Sequence, residues 1–116
     1  MGLKAIARLA PVLVQWRSSA GEAADVHFFV ADRDYEIMDV RETHSVAGAS
    51  SSTLDVGVSA SGTAPASLTT ALSSAFALDS TVDTPVQATL TSTMGNRLID
   101  KGEQLSVNIT GTVTSL

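Results

Sequence analysis

The sequence predicts a mainly β chain: a single antiparallel β-sandwich of jelly-roll type, with an N-terminal arm and at most one or two short helices. Three observations predict it. Apolar and polar residues alternate with period two in several short runs, as in "TLDVGVS" and "EQLSVNI". Turn residues (Gly, Asp, Asn, Ser) separate those runs, giving about seven short strands. The apolar content is 44% but the aromatic content only 4%, with alanine and valine prominent. Small and β-branched side chains suit closely packed sheets better than a roomy ligand cavity.

Residues 1–20 form the arm and 21–116 the sandwich body. Residues 2–10 are good helix formers, and Leu3, Ile6, Ala7 and Ala10 share a helical face that Pro11 ends. "VLVQW", 12–16, has the length and apolarity of a short buried strand, which places Trp16 in the core. After a polar loop, "VHFFVA" (26–31) is an apolar strand, and "DRD" (32–34) is its turn. "YEIMDVRETHSV" (35–46) is a long strand whose alternation fails at Ile37 and Met38, where a bulge is expected.

The stretch 53–59 is a clean strand with Leu54, Val56 and Val58 inward. In "SGTAPASLTTALSSAFAL", Pro65 suits a first helical turn, and Leu68, Leu72 and Phe76 fall at helical spacing. A short helix and an irregular crossover pinned by those three anchors both fit. "VQATLTSTM" (86–94) alternates as a strand, and "NRLIDKGEQLSVNI" reads as strand, tight turn and strand, with Gly102 at positive φ.

At 116 residues the chain holds one core. Its charge is divided unevenly. Residues 1–20 carry Lys4, Arg8 and Arg17 and no acid, whereas 21–116 carry four basic and twelve acidic groups, so the arm is +3 and the body −8. An acidic body repels a phosphate backbone, which excludes nucleic acid as the expected partner. A basic arm suits docking on an acidic surface, and Lys4, Arg8 and Arg17 are the candidate partner-binding residues. No stretch reaches the roughly 18 apolar residues of a membrane span, and Arg8 interrupts the only run resembling a signal peptide. No lysine, arginine or glutamate occurs between Glu42 and Arg97, so part of that surface is expected to be covered by neighbours.

No constellation of residues implies catalysis. Without cysteine there is no disulfide and no thiolate metal site. Asp32, Asp34, Glu36 and Asp39 resemble a cation loop in carboxylate count, but there is no glycine and Arg33 intervenes, so a solvated strand edge is expected and no metal. His27 and His44 have no spacing that pairs them. No Gly-x-Ser-x-Gly elbow occurs, and Asn108-Ile109-Thr110 matches the glycosylation triplet only formally. The expectation is a chain that is not an enzyme and has no cofactor.

One ordered set of residues carries a resemblance. It comprises Ala31-Asp32-Arg33 with Tyr35, Glu42 with His44, and Gly62-Thr63-Ala64-Pro65. It continues with Phe76, Leu78, Thr81 and Thr84, then Asn96-Arg97-Leu98, Gly102, Leu105 and Gly111-Thr112. In this order and spacing, over roughly residues 26–114, the chain resembles small β-sandwich virion structural proteins of tailed bacteriophages, the head decoration or cement proteins. The resemblance implies a non-enzymatic protein on the outer capsid surface of the virion. It would bind the major capsid protein, stabilise the shell and form a homo-oligomer, most simply a trimer. The alternative is a receptor- or glycan-binding module of a tail fibre or secreted protein, which would want more aromatic rings for stacking on sugars. Proteins of the resembled family continue past the matching "GTVT" into another strand. By that comparison the alternating strand 104–113 lacks a neighbour, since it has no lysine, proline or inward charge to blunt an edge. Either 12–16 in the same chain, or else a neighbouring subunit or the capsid, is expected to cover it.

Overall fold

In a computed structural model, which describes residues 11–18 and 25–113, the chain is mainly β and antiparallel throughout, a small sandwich with two short 3-10 turns. Its strands are β1 (Val26–Val30), β2 (Tyr35–Glu36), β3 (Arg41–Glu42), β4 (Thr53–Ser59), β5 (Thr69–Thr70), β6 (Phe76–Ala77), β7 (Val86–Gln87), β8 (Leu98–Ile99) and β9 (Gln104–Thr110). The main sheet runs β1-β9-β4-β5, with β6 also paired to β4. Two short ribbons, β2-β8 and β3-β7, and an isolated Leu72–Leu90 bridge make up the rest.

The two seven-residue strands form the spine, because they alone alternate without interruption. β4 and β9 pair over their whole length, from Thr53–Thr110 to Ser59–Gln104. Leu54, Val56 and Val58 of β4 and Leu105 and Val107 of β9 point into the core, as alternation requires. There they meet Ile37, Leu72, Phe76, Leu78 and Ile99, all at most 8% exposed.

The opposite face of the spine is also covered. Gly57, Ser59 and Ser106 are buried, and Leu68 and Thr69 of the crossover lie against Gly57. The shortage of charge between Glu42 and Arg97 thus has an internal explanation: part of the face is covered by the chain's own 60–70 segment. That crossover is a single 3-10 turn, Pro65–Ser67, and not a longer helix. Leu72 and Phe76 anchor it in the core, and their spacing reflects two separate returns to the sheet (the Leu72 bridge and β6).

The expected long strand 35–46 is real as an extended path but changes partner midway. β2 pairs with β8, β3 pairs with β7, and between them Ile37 N–H donates to Arg97 O and Val40 O accepts from Ala88 N–H. Ile37 is buried while Met38 and Asp39 both face outward, so the phase slips one position later than expected. The expected strand 86–94 contracts to β7 and the Leu90 bridge, because its partners are short, and Met94–Arg97 forms a 3-10 turn. The 98–110 segment is not a hairpin. The turn at Asp100–Gly102, with Gly102 at φ +90°, passes the chain from the β2-β8 ribbon to the main sheet. Asp34 fixes this corner by accepting from Lys101 N–H at 2.9 Å.

The strand expected at 12–16 is absent, since residues 11–18 enter no ladder. The place beside β9 is taken by β1, which pairs with it from Val26–Val107 to Val30–Gln104 around an irregularity at Phe28. An apolar strand adjacent in sequence to a turn outcompetes the arm for that edge. β9 is therefore interior, and Ile109 N–H is further satisfied by the Asp25 carboxylate at 2.7 Å.

Candidate partner-binding surface

Of the three basic residues singled out in the arm, Lys4 and Arg8 lie outside the described residues. Arg17 is exposed and follows Trp16, whose half-buried ring packs against the core cluster of Leu54, Val107 and Val113. Trp16 thus fixes the root of the arm without being a fully buried core residue. Beyond it, Val12 and Leu13 are 60% and 82% exposed, an apolar pair the body leaves uncovered.

The acidic cluster is divided among separate local contacts. Asp32 accepts from the Tyr35 hydroxyl and lies 3.1 Å from the Arg33 guanidinium. The Tyr35 hydrogen bond first, and Arg33 second, hold the Asp32 carboxyl below its ordinary value, while the same contact with Asp32 raises Tyr35. Asp34 caps the Lys101 turn. Asp39 accepts from Arg41 at 2.8 Å and from the Gln87 amide at 3.0 Å. Asp32, Asp34 and Asp39 each have their own partner, and among the described residues no three acidic or histidine groups converge as metal ligands.

The two histidines have unrelated settings. His27 Nδ1 shares a 2.7 Å hydrogen bond with the hydroxyl of Ser106, itself fully buried. His44 Nδ1 donates to Glu42 Oε2 at 3.0 Å, and their side chains are only 3% and 10% exposed. Glu42 Oε1 and His44 Nε2 have no hydrogen-bond partner among the described residues. In the sequence Glu42 and His44 stand together only as members of the resembling set, but alternation also carries a signal. Counting by twos from inward Val40 puts Glu42 and His44 on the core side.

Among the described residues an open depression of about 430 Å³ is lined by Ser59, Thr63, Asn96, Asp100 and Glu103 among others. It is polar, and no aromatic ring lines it. Among the described residues no helix is long and apolar enough to cross a membrane. Compared with protein-family models, with curated proteins and with solved structures, the chain gives no match.

Proposed function

We propose that this chain is a non-enzymatic virion structural protein of a tailed bacteriophage, a capsid decoration or cement protein. In this reading it binds the outer surface of the major capsid protein shell as a homo-oligomer and stabilises it, without a cofactor. The supporting observation is where the resembling residues lie. Ala31, Phe76, Leu78 and Leu105 are core. Asp32 bonds Tyr35, Glu42 bonds His44, Pro65 opens the 3-10 turn and Gly102 turns the corner between sheets. The resemblance therefore falls on framework positions along the whole body. A protein that binds by shape across neighbouring subunits needs that framework and an adhesive surface, and no reactive centre. The glycan-binding alternative is less well supported, since the polar depression offers no stacking platform.

Docking is assigned to the arm, through Lys4, Arg8 and Arg17. Exposed charge pairs are each worth under about 1 kcal/mol, so the three act as a sum. That sum weakens as salt shortens the screening length. Removal of residues 2–10 should reduce occupancy on capsids stripped of this protein, most at low salt. Undiminished occupancy at every salt concentration removes the arm from the mechanism.

A further inference from the structure

We infer that residues 12–16 act as a strand in trans, adding antiparallel to the outer edge of β1 in a second copy of this chain. Two features of the main sheet point to β1 as the receiving edge. The opposite side of the sheet ends in β5 and β6, two residues each, a length that offers little to an incoming strand. β1 is five residues long, contains no proline, lysine or arginine, and among the described residues is paired on one side only, with β9. An edge of this kind presents a row of unpaired N–H and C=O groups.

The arm has the complementary features. "VLVQW" equals β1 in length, alternates poorly but is apolar, and among the described residues makes no hydrogen bond. Trp16 holds its root on the chain's own core, while Val12 and Leu13 stand in solvent beyond the body. Every pairing in the fold is antiparallel. Added to β1 in that direction, 12–16 lies against 30–26, and Arg17 falls beside the exposed carboxylate of Asp25. Pro11, which cannot donate to a ladder, then lies at the end of the pairing. Pin and slot are different surfaces, so the contact is head-to-tail and closes into a ring or propagates.

This deepens the homo-oligomer part of the proposed function, but its test uses the purified full chain and no capsid, so the two can fail separately. The chain has no cysteine, which makes single introduced thiols unambiguous. Val12→Cys protein is mixed with Val30→Cys protein under mild oxidation, both positions being exposed in the single chain. A parallel mixture uses Met38→Cys, which is exposed but on a different strand path. The expected result is an intermolecular disulfide between positions 12 and 30, which this register sets opposite each other, and its loss between 12 and 38. Sedimentation should show the unmodified chain associating with rising concentration, and Leu13→Asp should abolish association without changing the melting temperature. Three results overturn the inference: equal cross-linking in both mixtures, an unmodified chain that stays monomeric at its highest soluble concentration, or a Val12→Cys/Val30→Cys double variant that closes its disulfide within one chain.

Discussion

Replacing Gly57 by alanine tests how tightly the crossover is seated on the central sheet. A glycine-to-alanine change in a strand ordinarily stabilises by about 0.4–1 kcal/mol, by restricting the unfolded chain, where the native conformation and space permit. Here the space is missing. An added Cβ would lie 2.1 Å from Thr69 O, 2.7 Å from Thr69 C and 2.8 Å from Leu68 Cδ1. Ordinary contact begins at 3.4 Å, so the backbone of β5 must retreat by about the difference from 2.1 Å, more than an ångström. Hydrogen bonds of 2.7–3.2 Å do not survive that stretch. The β4-β5 ladder and the 3.0 Å bond from Ala71 N–H to Val56 O would then be lost. At about 0.5–1.5 kcal/mol per bond, the cost is about 3–4 kcal/mol. Subtracting the unfolded-state gain leaves about 2–3 kcal/mol, in line with overpacking elsewhere and a large part of a typical 5–15 kcal/mol. Equilibrium urea unfolding measures it, with hydrogen exchange at Ala71 reporting the loosened ladder. Gly102→Ala is the control, since its Cβ meets nothing within 4 Å but sits at φ +90°, a strain of about 1–2 kcal/mol without exchange at Ala71. A Gly57→Ala protein as stable as the parent would refute the seating of β5 on β4.

The remaining predictions concern side chains. Glu42→Leu and His44→Leu should each cost about 2–3 kcal/mol, because each strands a buried polar partner, and the double variant should cost clearly less than their sum. Additive losses in urea would show that the two do not share a hydrogen bond. The Asp32 carboxyl should titrate below its ordinary 3.8 in a carbon-detected NMR titration, and Tyr35→Phe should move it back up by removing the largest cause. Its folded value is depressed, so its small contribution to stability is present above about pH 4 and is lost as pH falls through the folded value. An unmoved midpoint in Tyr35→Phe contradicts the assigned cause. EDTA should leave the melting temperature unchanged, because Asp32, Asp34 and Asp39 already have protein partners; a drop of several degrees would contradict that reading.

The elements most legible in the sequence were those whose partners run their full length. β4 matches the alternating run 53–59 residue for residue, and β1 and β9 lie where apolar runs meet turn signals. Periodicity reports which side of a strand is buried but not which strand lies beside it. The second layer was therefore read as longer strands than it has: 35–46 changes partner at the Met38–Asp39 slip, and 86–94 keeps only β7 and the Leu90 bridge. The same blindness to partners let 12–16 stand beside 104–113, where β1 in fact pairs. Of the candidate site, the arm's charge asymmetry could be read directly, whereas the separate partners of Asp32, Asp34 and Asp39 could not, since each lies on a different neighbour in the fold. The Glu42–His44 contact is legible only by counting alternate residues from Val40, because the Met38–Asp39 slip resets the phase of everything before it.

The proposed role, that this chain covers a capsid shell, is tested most directly by counting. Quantitative mass spectrometry of purified particles of a phage whose genome carries this sequence gives its copy number relative to the major capsid protein. A decoration role predicts copies comparable to, or a simple fraction of, the capsid subunits. A handful of copies per particle, or none, would contradict it.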